Sequence, residues 1–187
     1  MSPVLAHPIS RAVALSLGLA ALVLTLATGP VARSEARGYG CDKTGAASKR
    51  SDRVERSSAR IAVKCLINAE RSARNLRLRR DLNRAAQRHS NYMFRHRCFS
   101  HQCPGEAGLD SRIRSTGYMA GASSYRIGEV IALNRDTASA RDVVRQWKKS
   151  ASHRGQILSS GFRHMGVGLV ARNGKVFYTV TLGAKSG

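Results

Sequence analysis

Between Arg95 and Pro104 the chain holds two imidazoles, two thiols and a hydroxyl: His96, His101, Cys98, Cys103 and Ser100. Imidazole exchanges protons near neutral pH and is a common metal ligand. Two later segments carry groups that can meet this loop, Glu129 within Gly128–Ala132 and His153 within Trp147–Arg154. His101, Glu129 and His153 are therefore the candidate catalytic or binding set. His101 and His153, with a carboxylate beside them, suit zinc or another divalent cation with an open position. Alternatively, Glu129 accepts a hydrogen bond from one imidazole and fixes its tautomer. No His-Glu-x-x-His pair and no Gly-x-Ser-x-Gly elbow is present, so neither Ser100 nor Ser152 has a motif supporting a nucleophile.

Glu129 falls between Ile127 and Ile131 at a spacing of two, which turns its carboxylate toward the interior of a strand. A buried carboxylate is costly unless paired, so Glu129 requires a partner.

Four cysteines allow three pairings. Cys41–Cys65 would staple the segment before the first helix to that helix, and Cys98–Cys103 would close a small loop around His101. These two bridges are the expected ones. The competing assignment is a zinc site of Cys98, His101, Cys103 and His96, whose spacing suits a structural site poorly. Export favours oxidation over free thiolates.

Export is read from the N-terminus. Arg11 precedes the apolar run Ala12–Ala27 and the breaker Gly29-Pro30, the pattern of a signal peptide over residues 1–36 with cleavage after Gly29 or Ala36. The alternative is an uncleaved anchor, for which the run is short. The chain has 187 residues and 42% apolar content, enough for one core. It carries 32 Lys+Arg against 11 Asp+Glu, a formal +21 that falls to +20 without residues 1–36. Such a surface attracts polyanions. No aromatic-interleaved basic ribbon, Gly-rich phosphate loop or zinc-finger spacing points to specific nucleic-acid binding. For an exported protein the available partners are anionic lipid and cell-wall polymer, and the plainer role of Arg-rich helix faces is solubility.

The elements that must position the site follow from periodicity. Residues 37–56 read as a polar arm tied by Cys41, with little to bury. Ile61, Cys65, Leu66 and Ala69 predict a helix over 57–74. Residues 75–80 read as a connection. Asp81 caps a second helix with Leu82, Ala85, Ala86, His89 and Met93 on its apolar side, where His89 reads as a hydrogen-bonded core or boundary residue. Leu109–Ser115 predicts a third helix and Arg126–Ala132 a strand. Ser139 with Asp142 forms a capping box for a fourth helix, whose stripe of Ala140, Val143, Val144 and Trp147 makes the tryptophan a core residue. A short helix falls within Ser150–Ser160. Asn173-Gly174 predicts a hairpin of Met165–Ala171 and Lys175–Leu182 as a terminal two-stranded unit. Together these give an α+β layered domain.

The ordered words Leu66-Ile67-Asn68-Ala69-Glu70-Arg71, His89-Ser90, Phe99-Ser100-His101, Gly128-Glu129-Val130-Ile131-Ala132, Trp147 with Ser150 and His153-Arg154, Phe162, Gly166-Val167-Gly168 and Tyr178-Thr179 resemble the CAP superfamily. This is the superfamily of cysteine-rich secretory proteins, antigen 5 and pathogenesis-related class-one proteins, and the likeness is to its compact bacterial branch. The resemblance covers residues 61–183. It implies an α-β-α sandwich with a small antiparallel sheet over 57–187, secretion, and a cleft to which His101, Glu129 and His153 belong. Val130 stands where the family usually has asparagine, and Phe177 about where animal and plant members place a second histidine.

The expected function is that of a secreted protein whose His101/Glu129/His153 cleft binds a ligand or divalent cation, docked to the envelope by its basic surface. A binding role is favoured over an enzymatic one because no nucleophile is identifiable. The alternatives are a metal-assisted hydrolase with Glu129 as general base, and an envelope or matrix protein acting through charge alone.

Overall fold

The computed structural model describes Cys41 and residues 45–187. The expected signal peptide lies outside the described residues. Among the described residues, no helix is long and apolar enough to cross a membrane.

Helix α1, Arg56–Glu70, buries Ala59, Ala62, Val63, Leu66 and Ile67, the stripe its helical spacing dictates. The expected helix over 57–74 ends early because Arg71 is extended and buried. Its guanidinium donates to the carbonyls of Ile157, Ser159 and Arg74, bonds that a continued helix would forfeit. The expected connection at 75–80 contains a strand, β1, Arg77–Leu78, too short to show a period.

Helix α2, Arg80–His96, follows with Arg79 in the cap position, so Asp81 sits inside the first turn instead of capping it. The short α3 is Leu109–Arg114 and the strand β2 runs over Ser124–Arg135, longer than the apolar core that announced it. Helix α4, Ala140–Lys149, begins with the reciprocal Ser139/Asp142 capping box. Ser150 caps α5, Ala151–Leu158, by accepting from the His153 amide. Strands β3, His164–Arg172, and β4, Lys175–Ser186, flank Asn173-Gly174. Both turn residues have positive φ, 54° and 74°, as a two-residue hairpin of this twist requires.

That hairpin is not a separate two-stranded unit. It forms the middle of a four-stranded sheet ordered β1-β3-β4-β2, with β1 parallel to β3 and the other pairs antiparallel. Period two then sorts the side chains into two faces. Val130, Ala132, Met165, Val167, Leu169, Tyr178 and Val180 join the stripes of α1 and α4, with Trp147 fully buried and its indole N–H donating to the Ile131 carbonyl at 2.9 Å. The opposite face carries Ile127, Ile131 and Phe177 against α2, α3 and the His101 loop. The result is an α-β-α sandwich.

Helix α2 lies almost in contact with β3, because Gly166 and Gly168 present no side chain to it. A Cβ at either position would stand 2.0 to 2.4 Å from the backbone of Leu82 or Ala86. The residues before α1 also differ from expectation. Ala46 and Ala47 are core residues, Ser51 bonds the Tyr178 hydroxyl at 2.9 Å, and Arg50 bridges to Ser139. Small residues let this stretch pack close to the main body, which its polar composition concealed.

Candidate functional site

Strand β2 is the far edge of the sheet, and the candidate site is built around it. Glu129 sits on the α2 face of β2, paired in register with Thr181. Its side chain is 2% exposed, so its charge must be met inside the protein. Arg112 of α3 meets it. One guanidinium nitrogen donates to both carboxylate oxygens at 3.0 and 2.8 Å, while another donates to the carbonyls of His101 and Ala107 at 2.9 and 3.1 Å. The same cation therefore neutralises Glu129 and pins the loop bearing His101.

His101 completes the carboxylate's coordination, its Nδ1 lying 3.0 Å from Glu129 Oε1. A carboxylate only accepts, so Nδ1 carries the hydrogen, and in the neutral imidazole the Nε2 lone pair is left for a ligand. The imidazole is 55% exposed, which opens that lone pair to solvent. Cys98 and Cys103 are disulfide-bonded across five residues of chain and hold the loop's base, as Cys41 and Cys65 hold the segment before α1. All described cysteines are bridged.

His153 lies on the first turn of α5, whose Gln156 stands against Gly128 of β2. Burial is the larger cause that pushes its imidazole below the ordinary histidine value, and the neighbouring His101 is the second. His101 is thus near enough for its charge to be felt at His153. His96, by contrast, stacks on Tyr92 at 4.0 Å between ring centroids.

A second buried layer lies behind Glu129. His89, fully buried on α2, places Nδ1 between the oxygens of Glu106 at 2.8 and 3.0 Å, and Glu106 also accepts from the Cys103 amide at 3.4 Å. His89 Nε2 is buried without a hydrogen-bond partner, 3.6 Å from Glu129 Oε1. The core assignment of His89 from sequence is right about its burial and silent about this link. Neither Arg112 nor Glu106 stands in a sequence pattern that marks it as part of the site. The demand that Glu129 be paired was a signal for a buried cation, but an arginine on a short helix in an Arg-rich chain has nothing to set it apart.

These contacts test the expected cation site. Both Glu129 oxygens are engaged by Arg112, and one also by His101, which leaves no carboxylate to act as a third ligand. Among the described residues no group of three His, Cys, Asp or Glu side chains is placed to hold a metal ion. A His₂–carboxylate centre does not fit. Phe177 is buried against Phe94 at a ring-centroid distance of 6.2 Å. Val130 points to the opposite face, into the main core. A groove of about 710 Å³ lined by Asp52, Glu55, Asn91, Phe94 and Arg172 lies elsewhere and shares none of the three cleft residues.

This fold is a CAP-type sandwich. The profile of the CAP family, described as the cysteine-rich secretory protein family, matches residues 44–182, and the chain belongs to that family. Among solved structures, an extracellular protein containing an SCP domain from Bacillus anthracis aligns over 69% of the chain with a TM-score of 0.57 and 23% identity. An outer surface protein from Borrelia burgdorferi aligns over 61%, with a TM-score of 0.52 and 18% identity. A cysteine-rich secretory protein from Staphylococcus aureus aligns over 69%, with a TM-score of 0.50 and 18% identity. The chain spans 43% of the Bacillus protein, 80% of the Borrelia protein and 40% of the Staphylococcus protein. At these identities the likeness is one of fold. No curated protein matches the chain.

Proposed function

We propose that this is an exported binding protein whose His101/Glu129/His153 cleft takes a small polar, hydroxyl-bearing ligand, and whose basic surface docks it to anionic lipid or cell-wall polymer. The observation that carries the reading is the Arg112–Glu129–His101 chain. It spends the carboxylate on holding His101 in one tautomer and presents Nε2 as a preorganised acceptor beside His153. The Bacillus and Borrelia proteins, described as extracellular and outer surface proteins, and the predicted signal peptide support export.

A second reading is hydrolytic, and the same contacts move its base. Glu129 is buried and clamped, so His101, polarised by Glu129 through Nδ1, is the group able to take a proton. The two readings part in one experiment. Soluble wall glycans are titrated into the disulfide-bonded protein by calorimetry, beside His101→Ala and His153→Ala, with and without chelator. Binding lost in both variants and indifferent to chelator supports the cleft reading. Binding that chelator abolishes makes a cation the ligand's anchor and overturns it, and cleavage of the glycan during titration favours hydrolysis.

A further inference from the structure

The cleft leaves unexplained where the protein's positive charge collects. Several of its cations are answered at short range: Arg50 by Asp52, Arg114 by Asp110, Arg145 by Asp142 and Lys148 by Glu70. At the opposite edge of the sheet from the cleft, beside β1, the pattern changes. A concavity of about 230 Å³ is lined by Arg74, Asn75, Arg77, Arg163 and His164, with no carboxylate among them. A second, of about 390 Å³, is lined by the residues that follow in the chain, Leu78, Arg79, Arg80, Asp81 and Arg84, where Asp81 is already held by Arg79 at 3.1 Å.

The walls of the first concavity are fixed from behind. Asn68 of α1 brackets Leu76, donating to its carbonyl at 3.1 Å and accepting from its amide at 2.9 Å. Arg71 donates to the Arg74 carbonyl, and the Arg77 amide donates to the Arg163 carbonyl at 3.0 Å. The Tyr118 hydroxyl, whose burial pushes its pKa up to about 12, is hydrogen-bonded to His164 Nδ1 at 2.8 Å and fixes the orientation of the imidazole.

The local field agrees. His164 is lowered from its ordinary value by burial first, then by Arg79 and Arg77, and Arg71 is lowered by burial and then by Arg163. Edge strands are often charged to block pairing with another sheet, but blocking needs neither a concavity nor an imidazole.

We propose that the Arg74/Arg77/Arg163/His164 concavity binds a phosphate group, and that Arg80 and Arg84 extend it into a track for successive phosphates of an anionic polymer. Guanidinium forks match phosphate oxygens in pairs, which suits Arg above Lys for this role. A flexible polymer is favoured over a lipid surface because Leu78 is the sole apolar residue lining either concavity. A membrane-docking face joins its cations to exposed apolar side chains. This inference rests on the docking half of the proposed function and assigns it a place.

The test is fluorescence titration of sodium polyphosphate, and separately of phosphatidylglycerol vesicles, into the disulfide-bonded protein over a range of salt. Arg74→Ser/Arg77→Ser removes two exposed cations from the concavity, and Arg135→Ser/Arg172→Ser removes two exposed cations from the other end of the sheet. The first pair is expected to weaken polyphosphate binding roughly tenfold and to reduce the salt slope by about 1.4, at ~0.7 per phosphate contact. The second pair should weaken it less than about twofold, as distant charge screened by salt. Equal losses in the two variants would leave envelope docking standing and overturn the assigned site. No binding of polyphosphate by the wild type, with or without vesicle binding, overturns the polymer proposal. Absence of both overturns the docking reading as well.

Discussion

Arg112 and Glu129 form a buried fork, one guanidinium nitrogen 3.0 and 2.8 Å from the two carboxylate oxygens, with side chains 7% and 2% exposed. The pair joins α3 to the edge strand and carries the His101 loop on its remaining donor. Arg112→Leu leaves a buried carboxylate unpaired and is expected to cost about 3–5 kcal/mol in urea denaturation. Arg112→Leu/Glu129→Leu removes both charges and should recover most of that loss, while ligand binding at His101 stays impaired. Additive losses would show that the two residues are not energetically coupled.

The two disulfides should separate stability from binding. Cys41–Cys65 spans 24 residues of chain and Cys98–Cys103 only five. Chain entropy predicts losses of about 3.5 and about 2 kcal/mol on replacing each pair by serine. Cleft binding should respond in the opposite order, because Cys98–Cys103 anchors the loop that presents His101. Thermal melts and ligand titration on the two double-serine variants check both halves, and an unchanged affinity in Cys98→Ser/Cys103→Ser would remove the loop from the site.

Much of this was legible in the order of residues. Asn173-Gly174 announced its hairpin, Ser139 and Asp142 their capping box, and the Ile127/Glu129/Ile131 alternation a carboxylate turned inward. What escaped were features without a period. Two residues of β1 are too few to alternate, and Arg71 ends α1 through bonds to carbonyls 86 and 88 residues away. Arg112 needed the fold to bring it 17 positions back along the chain from Glu129. Local pattern encodes local structure, whereas a buried ion pair is encoded by burial, which sequence spacing does not measure.

The approach of α2 to β3 gives a packing prediction. Gly168→Ala would place a Cβ 2.3 Å from the Ala86 backbone, where nothing flexible can yield. A loss of about 3 kcal/mol or more is expected, at the upper end for overpacking. Gly155→Ala is the matched control, since no atom stands within 4 Å of its added Cβ and the position lies within α5. It should stabilise by about 1 kcal/mol, the helix-propensity difference. Chemical denaturation of both variants reads the contrast, and a mild effect at Gly168 would mean that helix and strand lie farther apart.

The neighbourhood of His101 and His153 is tested by titration. His153 is held below the ordinary histidine value of 6.5, by burial first and by His101 second. With the folded value depressed, the unfolded chain binds more protons in the interval between the two values, so protonation favours unfolding there. His153's contribution to stability is thus complete above about 6.5 and is lost as pH falls through the depressed folded value. His153→Gln should flatten the fall in stability across that interval. In His101→Ala the electrostatic cause disappears while burial remains, so the His153 resonance, followed by NMR, should titrate at higher pH than in wild type but still below 6.5. A return to the full ordinary value would make burial unimportant. No movement at all would separate the two imidazoles, and with them the cleft on which the binding reading depends.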